Sequence, residues 1–212
     1  MKKLILMMAA IAFIANGSNA QGTGSDTRDQ LQFGAKIGAN LSNVYDSQGQ
    51  DFVADSKIGV AGGVFVALPI GKYIGIQPEL LFSQKGFKGS GTILGSSYSF
   101  TRTTSYIDIP ILLAIKPIPM LTILVGPQYS YLLKQKDSFD NAILSGSQEQ
   151  QFDNDNIRKN TLCATGGVDI NLNPIVIGAR VGWDFQQNNG DGTSTTPRYK
   201  NMWYQLTIGF KL

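Results

Sequence analysis

Histidine is absent from the 212 residues, and cysteine occurs once, at Cys163. The first absence removes Ser-His and Cys-His nucleophilic pairs, a histidine general base, and histidine-ligated zinc or iron. The second removes intrachain disulfides and cysteine metal clusters. Charge is scarce too. Charged residues make up 16% of the chain, against about a quarter in an ordinary soluble domain, which excludes a disordered, highly charged chain. The net charge is +3, and losing Lys2 and Lys3 with a cleaved leader would take 18 basic residues to 16 against 15 acidic ones. Such a balance offers no electrostatic case for a nucleic-acid partner. Outside Leu4–Ala15, no segment approaches the roughly 20 uninterrupted apolar residues of a membrane-spanning helix.

What is present begins with a leader. Lys2 and Lys3 precede the apolar run Leu4–Ala15, and Asn16-Gly-Ser-Asn-Ala20 follows. A basic start, a short apolar centre and a small-residue end describe a secretory signal peptide over residues 1–20, cleaved after Ala20. The run is too short to cross about 30 Å of hydrocarbon as a helix. The mature chain is therefore expected to be exported, with a short periplasmic segment over 21–31 and a barrel over 32–212.

From Phe33 onward the hydrophobic period is two, not 3.6. Phe33, Ala35, Ile37, Ala39 and Leu41 alternate with Gly34, Lys36, Gly38, Asn40 and Ser42. Ile107, Ile109, Ile111, Leu113 and Ile115 alternate with Tyr106, Asp108, Pro110, Leu112 and Ala114. Comparable runs over 58–68, 74–83, 121–131, 161–170, 175–185 and 202–212 bring the count to eight strands of about ten residues, the length that crosses a bilayer when tilted. Connections alternate between short ones rich in Pro, Gly and Asn (69–73, 116–120, 171–174) and long polar ones (43–57, 86–105, 134–160, 186–201). The pattern predicts an all-β fold: an eight-stranded antiparallel up-and-down transmembrane β-barrel with short periplasmic turns and long extracellular loops. It is read as a monomer.

The polar face is expected to line the lumen, because it is unusually rich in glycine. A narrow lumen needs small residues, whereas a water-exposed face has no use for them. Tyr129, Tyr131, Trp183, Phe185, Tyr204 and Phe82 gather towards the long loops, and Phe33, Tyr73 and Phe210 towards the short turns, as two interfacial girdles. A secreted soluble ligand-binding barrel, with the apolar face inward, is the alternative. An eight-stranded barrel is filled by its own side chains, so Glu79, Asp108, Arg180 and Asp184 are expected to form a lumenal salt-bridge cluster, with Lys36, Lys85 and Lys211 nearer the ends. Lys85, Lys88, Arg102, Arg158, Lys159, Arg198 and Lys200 flank the long loops, an outer basic rim at the height of lipopolysaccharide phosphates.

Several segments together carry a family resemblance: Gly34-Ala-Lys-Ile-Gly-Ala-Asn-Leu-Ser42, Ile76-Gln-Pro-Glu-Leu-Leu-Phe-Ser-Gln-Lys-Gly86, Tyr106-Ile-Asp-Ile-Pro-Ile-Leu-Leu113, Gly126-Pro-Gln-Tyr-Ser-Tyr-Leu-Leu133, Ile177-Gly-Ala-Arg-Val-Gly182 and Gln205-Leu-Thr-Ile-Gly-Phe-Lys-Leu212. The mature chain resembles the PorT-like outer-membrane β-barrel family of Bacteroidetes-type bacteria. The resemblance implies an outer-membrane barrel. Its namesake is similar to a component of a secretion system, a role not carried over. Such barrels usually end in an aromatic residue that the barrel-assembly machinery reads; here Leu212 is last and Phe210 precedes it on the same face.

No catalytic, cofactor or metal site is assigned. Glu79 and Asp108 could in principle do acid-base work, but an occluded lumen gives a substrate no access. Cys163 has neither base nor partner thiol in its sequence pattern. Asp153-Asn-Asp-Asn156, with Asp137 and Asp140 nearby, lacks the glycine and glutamate spacing of a calcium loop. The functional expectation is a non-enzymatic interaction scaffold displaying extracellular loops for adhesion, ligand capture or partner docking. The alternative is an accessory of a secretion or transport system. Mass spectrometry of the membrane fraction should find a mature chain beginning at Gln21; a chain retaining Met1–Ala20 would overturn the export reading.

Overall fold

The computed structural model describes residues 26–45, 54–93, 96–141, 146–150, 158–188 and 199–212. The leader and its cleavage point lie outside these. The described residues form nine strands: β1 Gln32–Tyr45, β2 Ala54–Pro69, β3 Ile74–Ile93, β4 Ser96–Ile118, β5 Leu121–Asn141, β6 Gly146–Gln150, β7 Asn160–Leu172, β8 Ile175–Asp184 and β9 Lys200–Lys211. Eight of them close a barrel. Each pairs antiparallel with its neighbour in chain order, β5 pairs with β7, and β1 pairs with β9 from Gly34↔Lys211 to Tyr45↔Lys200. Closure leaves the membrane-embedded ladder without an edge, which hydrocarbon requires because no water is there to satisfy free backbone groups. Among the described residues no helix is long and apolar enough to cross a membrane.

The side chains are arranged inside out relative to a soluble barrel. Ile37 and Ile58 are 68% and 72% exposed, whereas Asn40 and Asp108 are 0% and 1% exposed. The same division holds around the ring, with Leu80, Ile111, Val125, Ile177 and Leu206 outside and Gln77, Gln128, Thr165, Arg180 and Gln205 inside. A soluble barrel would have the opposite division, so that alternative falls. The girdle aromatics Phe33, Tyr73, Phe82, Tyr129, Tyr131, Trp183, Phe185, Tyr204 and Phe210 are all on the outside.

Two inward glycines sit directly beneath inward aromatics. Gly34 pairs with Phe65 and Gly182 with Trp203. A Cβ on either would stand 2.2 Å from the facing ring. Each glycine is the space its aromatic fills, a device that packs a tapering interior without voids. Gly86 differs: its φ is +144°, and a Cβ there would meet the Arg102 carbonyl oxygen at 2.0 Å.

The strands depart from the expected ten residues where the sequence shows no apolar alternation. β3, β4 and β5 run for 20, 23 and 21 residues. Within 86–105, expected as a long loop, β3 and β4 stay paired from Gly86↔Thr103 to Ile93↔Ser96. Much of 134–141 continues the β4–β5 ladder, and β6 pairs with β5 from Gln135↔Gln150 to Phe139↔Gly146. Above the bilayer, backbone pairing needs no lipid-facing row, so this part of the ladder lacks the apolar period that marks a membrane strand.

Gly182→Ala should lower stability by about 1–3 kcal/mol by pushing Trp203 off its seat. Gly71→Ala, where nothing lies within 4 Å of the added carbon, should be near neutral. Urea unfolding read as loss of the heat-modifiable gel band checks both.

Candidate functional site

The lumen is filled in tiers of ion pairs and hydrogen-bonded polar groups. In the periplasmic half, Lys36 is ion-paired with Glu79 Oε2, and Gln77 Nε2 donates to Glu79 Oε1 at 2.9 Å. Arg180 Nη1 donates to Asp169 Oδ1 at 2.7 Å and to the Val168 carbonyl at 2.9 Å, while Nη2 faces Glu79 Oε1 at 3.7 Å. The guanidinium thus bridges the two acids. The next tier is neutral: Gln205 Nε2 donates to Asn40 Oδ1 at 2.9 Å, and Asn40 Nδ2 donates to Ser83 Oγ at 2.8 Å.

Further out, Lys85 Nζ lies 3.0 Å from Asp108 Oδ2, with its ammonium 3.7 Å from the Trp203 ring centre and 4.8 Å from that of Tyr106. Stacking on two aromatic faces supplements the single carboxylate. Asp184 is held by neutral donors, Cys163 Sγ at 3.0 Å, the Asn201 amide at 3.2 Å and Asn201 Nδ2 at 2.6 Å. Cys163 also lies 3.4 Å from Ser130 Oγ. The thiol is completely buried and serves as a hydrogen-bond donor.

The outer end is capped. Arg102 donates to both carboxylate oxygens of Asp137 at 2.8 and 2.6 Å and to Tyr199 Oη at 2.9 Å. Phe87 packs edge-on against Tyr199 and beside Phe100, with Val44 completing the cluster. Burial pushes the Tyr199 hydroxyl above its ordinary pKa, which keeps it protonated. This small core joins β1, β3, β4 and the segment leading into β9 above the bilayer.

The periplasmic end is covered by residues 26–31. Arg28 Nε and Nη2 donate to the two Asp26 oxygens at 2.8 and 2.6 Å, while Nη1 donates to the Lys116 and Pro117 carbonyls at 3.2 and 3.1 Å. The guanidinium also stands 5.1 Å from the centre of the Tyr73 ring. Lys72 reaches Asp26 at 3.0 Å, and Lys116 Nζ donates to the Arg28 carbonyl at 2.8 Å. This strap therefore ties the β2–β3 turn to the β4–β5 turn. The Arg28 fork holds the Asp26 carboxyl well below the usual carboxylate range.

The four acids and bases expected as one cluster occupy two tiers. Glu79 and Arg180 come together, but Asp108 belongs to Lys85 and Asp184 to Cys163 and Asn201. The reason is height. Asp184 lies four residues above Arg180 on β8, about 13 Å at roughly 3.3 Å per residue, which is out of reach. Lys36 and Lys85, expected nearer the ends, instead pair with those acids. Asp169 was missed: its inward parity on β7 was legible, but only the β7–β8 register, Asp169↔Gly178, sets it beside Arg180.

The outer basic set also divides. Lys85 and Arg102 occupy inward positions and point into the lumen and cap, not the rim. Lys88 and Lys159 are exposed, Lys200 is half-exposed, and Arg158 is half-buried with Nε donating to the Gln187 carbonyl. Arg198 and the Asp153–Asn156 run lie outside the described residues. Asp137 is committed to Arg102. Among the described residues no group of three or more Cys, Asp or Glu could hold a metal ion.

Glu79→Ala would leave Lys36 and Arg180 facing each other without their shared anion. Breaking a buried pair in this way costs about 3–5 kcal/mol. Glu79→Gln should cost less, because the amide keeps an acceptor in place. Urea titration of the refolded barrel in lipid separates the two.

The outer membrane protein β-barrel domain family matches residues 19–190. Among solved structures, Ail, the attachment invasion locus protein of Yersinia pestis, is similar at 14% identity and a TM-score of 0.49, over 86% of this chain and 99% of that one. Neisserial surface protein A is similar at 12% identity and a TM-score of 0.46, over 85% and 97%. OprG from Pseudomonas aeruginosa is similar at 12% identity and a TM-score of 0.39, over 85% and 95%. A comparison with curated proteins finds no match. With the matched span covering most of the strands, this chain belongs to the outer membrane protein β-barrel domain family and is a barrel of the bacterial outer membrane.

Proposed function

We infer that the chain is a non-enzymatic scaffold of the PorT-like kind, whose β3–β6 extension and outer loops dock a ligand or partner outside the cell. The single observation that carries this reading is the filled lumen. Paired charges, a neutral amide tier, stacked aromatics, an outer cap and a periplasmic strap follow one another along its axis. Among the described residues such an interior leaves a solute no open route and a substrate no access to Glu79 or Asp108. Function then falls to the part of the ladder that continues beyond the membrane. Lys88, Lys159 and Lys200 are the rim groups that would meet lipopolysaccharide phosphates. Phe210 on the last strand and Leu212 just after it, both exposed, are what the barrel-assembly machinery would read.

Planar-bilayer recording tests the reading. The purified barrel should give no unit conductance at any applied voltage. Reproducible steps from the wild-type chain would overturn the scaffold reading in favour of transport.

A further inference from the structure

The two lysines near the periplasmic ends of β4 and β9 are unlike those deeper in the lumen. Lys116 is 6% exposed and Lys211 is half-buried. Lys36 and Lys85 each hold a carboxylate, but Lys116 and Lys211 do not. Lys116 Nζ donates to the Arg28 carbonyl, and Lys211 Nζ donates to Asn171 Oδ1, both neutral oxygens. Neither makes an ion pair within 4 Å among the described residues. Both line one polar cavity of about 30 Å³ beneath the strap, together with Thr27, Arg28, Thr122 and Asn171. That volume holds one or two water-sized groups.

The electrostatics of this cavity are unbalanced. Two ammonium groups and a guanidinium line it and, among the described residues, no carboxylate does. Asp26 is already taken by Arg28 and Lys72, and Asp29 and Asp169 act on Lys116 and Lys211 only from beyond ion-pair distance. An ammonium removed from water without a counter-charge is costly. Each ammonium also carries three donors, and among the described residues each makes one hydrogen bond, so donors remain to face the cavity. The Thr122 hydroxyl, which accepts from Asn171 Nδ2 at 3.0 Å, keeps its own proton to donate. The lining is therefore rich in donors and positive charge, and the strap's Arg28 is one of its walls.

We propose that this cavity is a binding site for a small inorganic anion, of halide or phosphate chemistry, held between Lys116, Lys211 and Arg28. The anion neutralises the repulsion among the three cations and so latches the strap across the periplasmic mouth. The site is independent of the extracellular reading, and a barrel that conducts could still possess it.

The test uses the full mature chain refolded in lipid, at constant ionic strength, with sodium bromide, sodium phosphate or sodium gluconate. Trypsin cleavage after Arg28, followed by mass spectrometry, reports strap release. Bromide or phosphate is expected to slow that cleavage by about tenfold relative to gluconate, and the better of the two identifies the anion. In a Lys116→Gln/Lys211→Gln variant the anion effect should disappear. That variant should also be no less stable than wild type in gluconate, because it removes uncompensated charge; a merely structural pair of lysines would give a less stable barrel. Bromide soaked into crystals should give an anomalous peak in the cavity beneath the strap. Equal cleavage in all three salts, or an anion effect that survives in the double variant, would overturn the proposal.

Discussion

A ladder of eight strands that closes on itself encloses a space its own side chains must fill, and the rest of the molecule follows from that. Because the outside faces lipid, the inward row is the only place in the membrane for polar side chains. Because the inside has no room for bulk water, every charge there needs a partner from another strand. The tiers are the solution. Lys36 and Arg180 share Glu79, with Asp169 completing the second pair. Lys85 sets one carboxylate against two aromatic faces. Asp184 is satisfied by a thiol and an amide. Buried ion pairs of this kind are weak sources of net stability, yet removing one partner is severe. The interior is therefore specified by mutual dependence among residues far apart in the chain.

The same constraint explains the glycines. A barrel this narrow has no place for a side chain at every inward position, so large residues are set against empty ones. Phe65 over Gly34 and Trp203 over Gly182 are direct cross-strand pairs of this sort. Trp203 in turn provides the face on which Lys85 rests. Packing and electrostatics are thus one arrangement: the vacancy at Gly182 seats the indole, and the indole helps hold a buried cation.

Outside the membrane the rules change at both ends. On the outer side the ladder continues through β3, β4 and β5 and gains β6, with a small core around Phe87 and Tyr199 at its root. On the periplasmic side a six-residue strap (residues 26–31) is fastened to two turns by one guanidinium. Both ends use arginine where a planar fork can meet a carboxylate bidentately and stack on an aromatic at the same time. Arg102 does so with Asp137 and Phe100, and Arg28 with Asp26 and Tyr73.

The sequence alone determined the faces. Successive side chains on a strand point to opposite sides by covalent geometry, so Asn40, Asp108, Cys163 and Arg180 were legible as inward, and Ile37, Ile109 and Leu206 as outward, without any partner strand. Strand number, the short turns and the inverted polarity followed from that period. Height was not legible. Whether Arg180 meets Asp184 or Asp169 depends on how β7, β8 and β3 slide past one another, and register is a property of pairs of strands. Parity along β4 could have turned Arg102 away from the rim, but no apolar row marks strand where no lipid touches it. Only the closed ladder extends β4 that far, and only the fold brings Asp137 and Tyr199 to meet it. The strap's hold on Lys116 lay beyond reach for the same reason: 88 residues separate them along the chain, and barrel closure alone makes them neighbours.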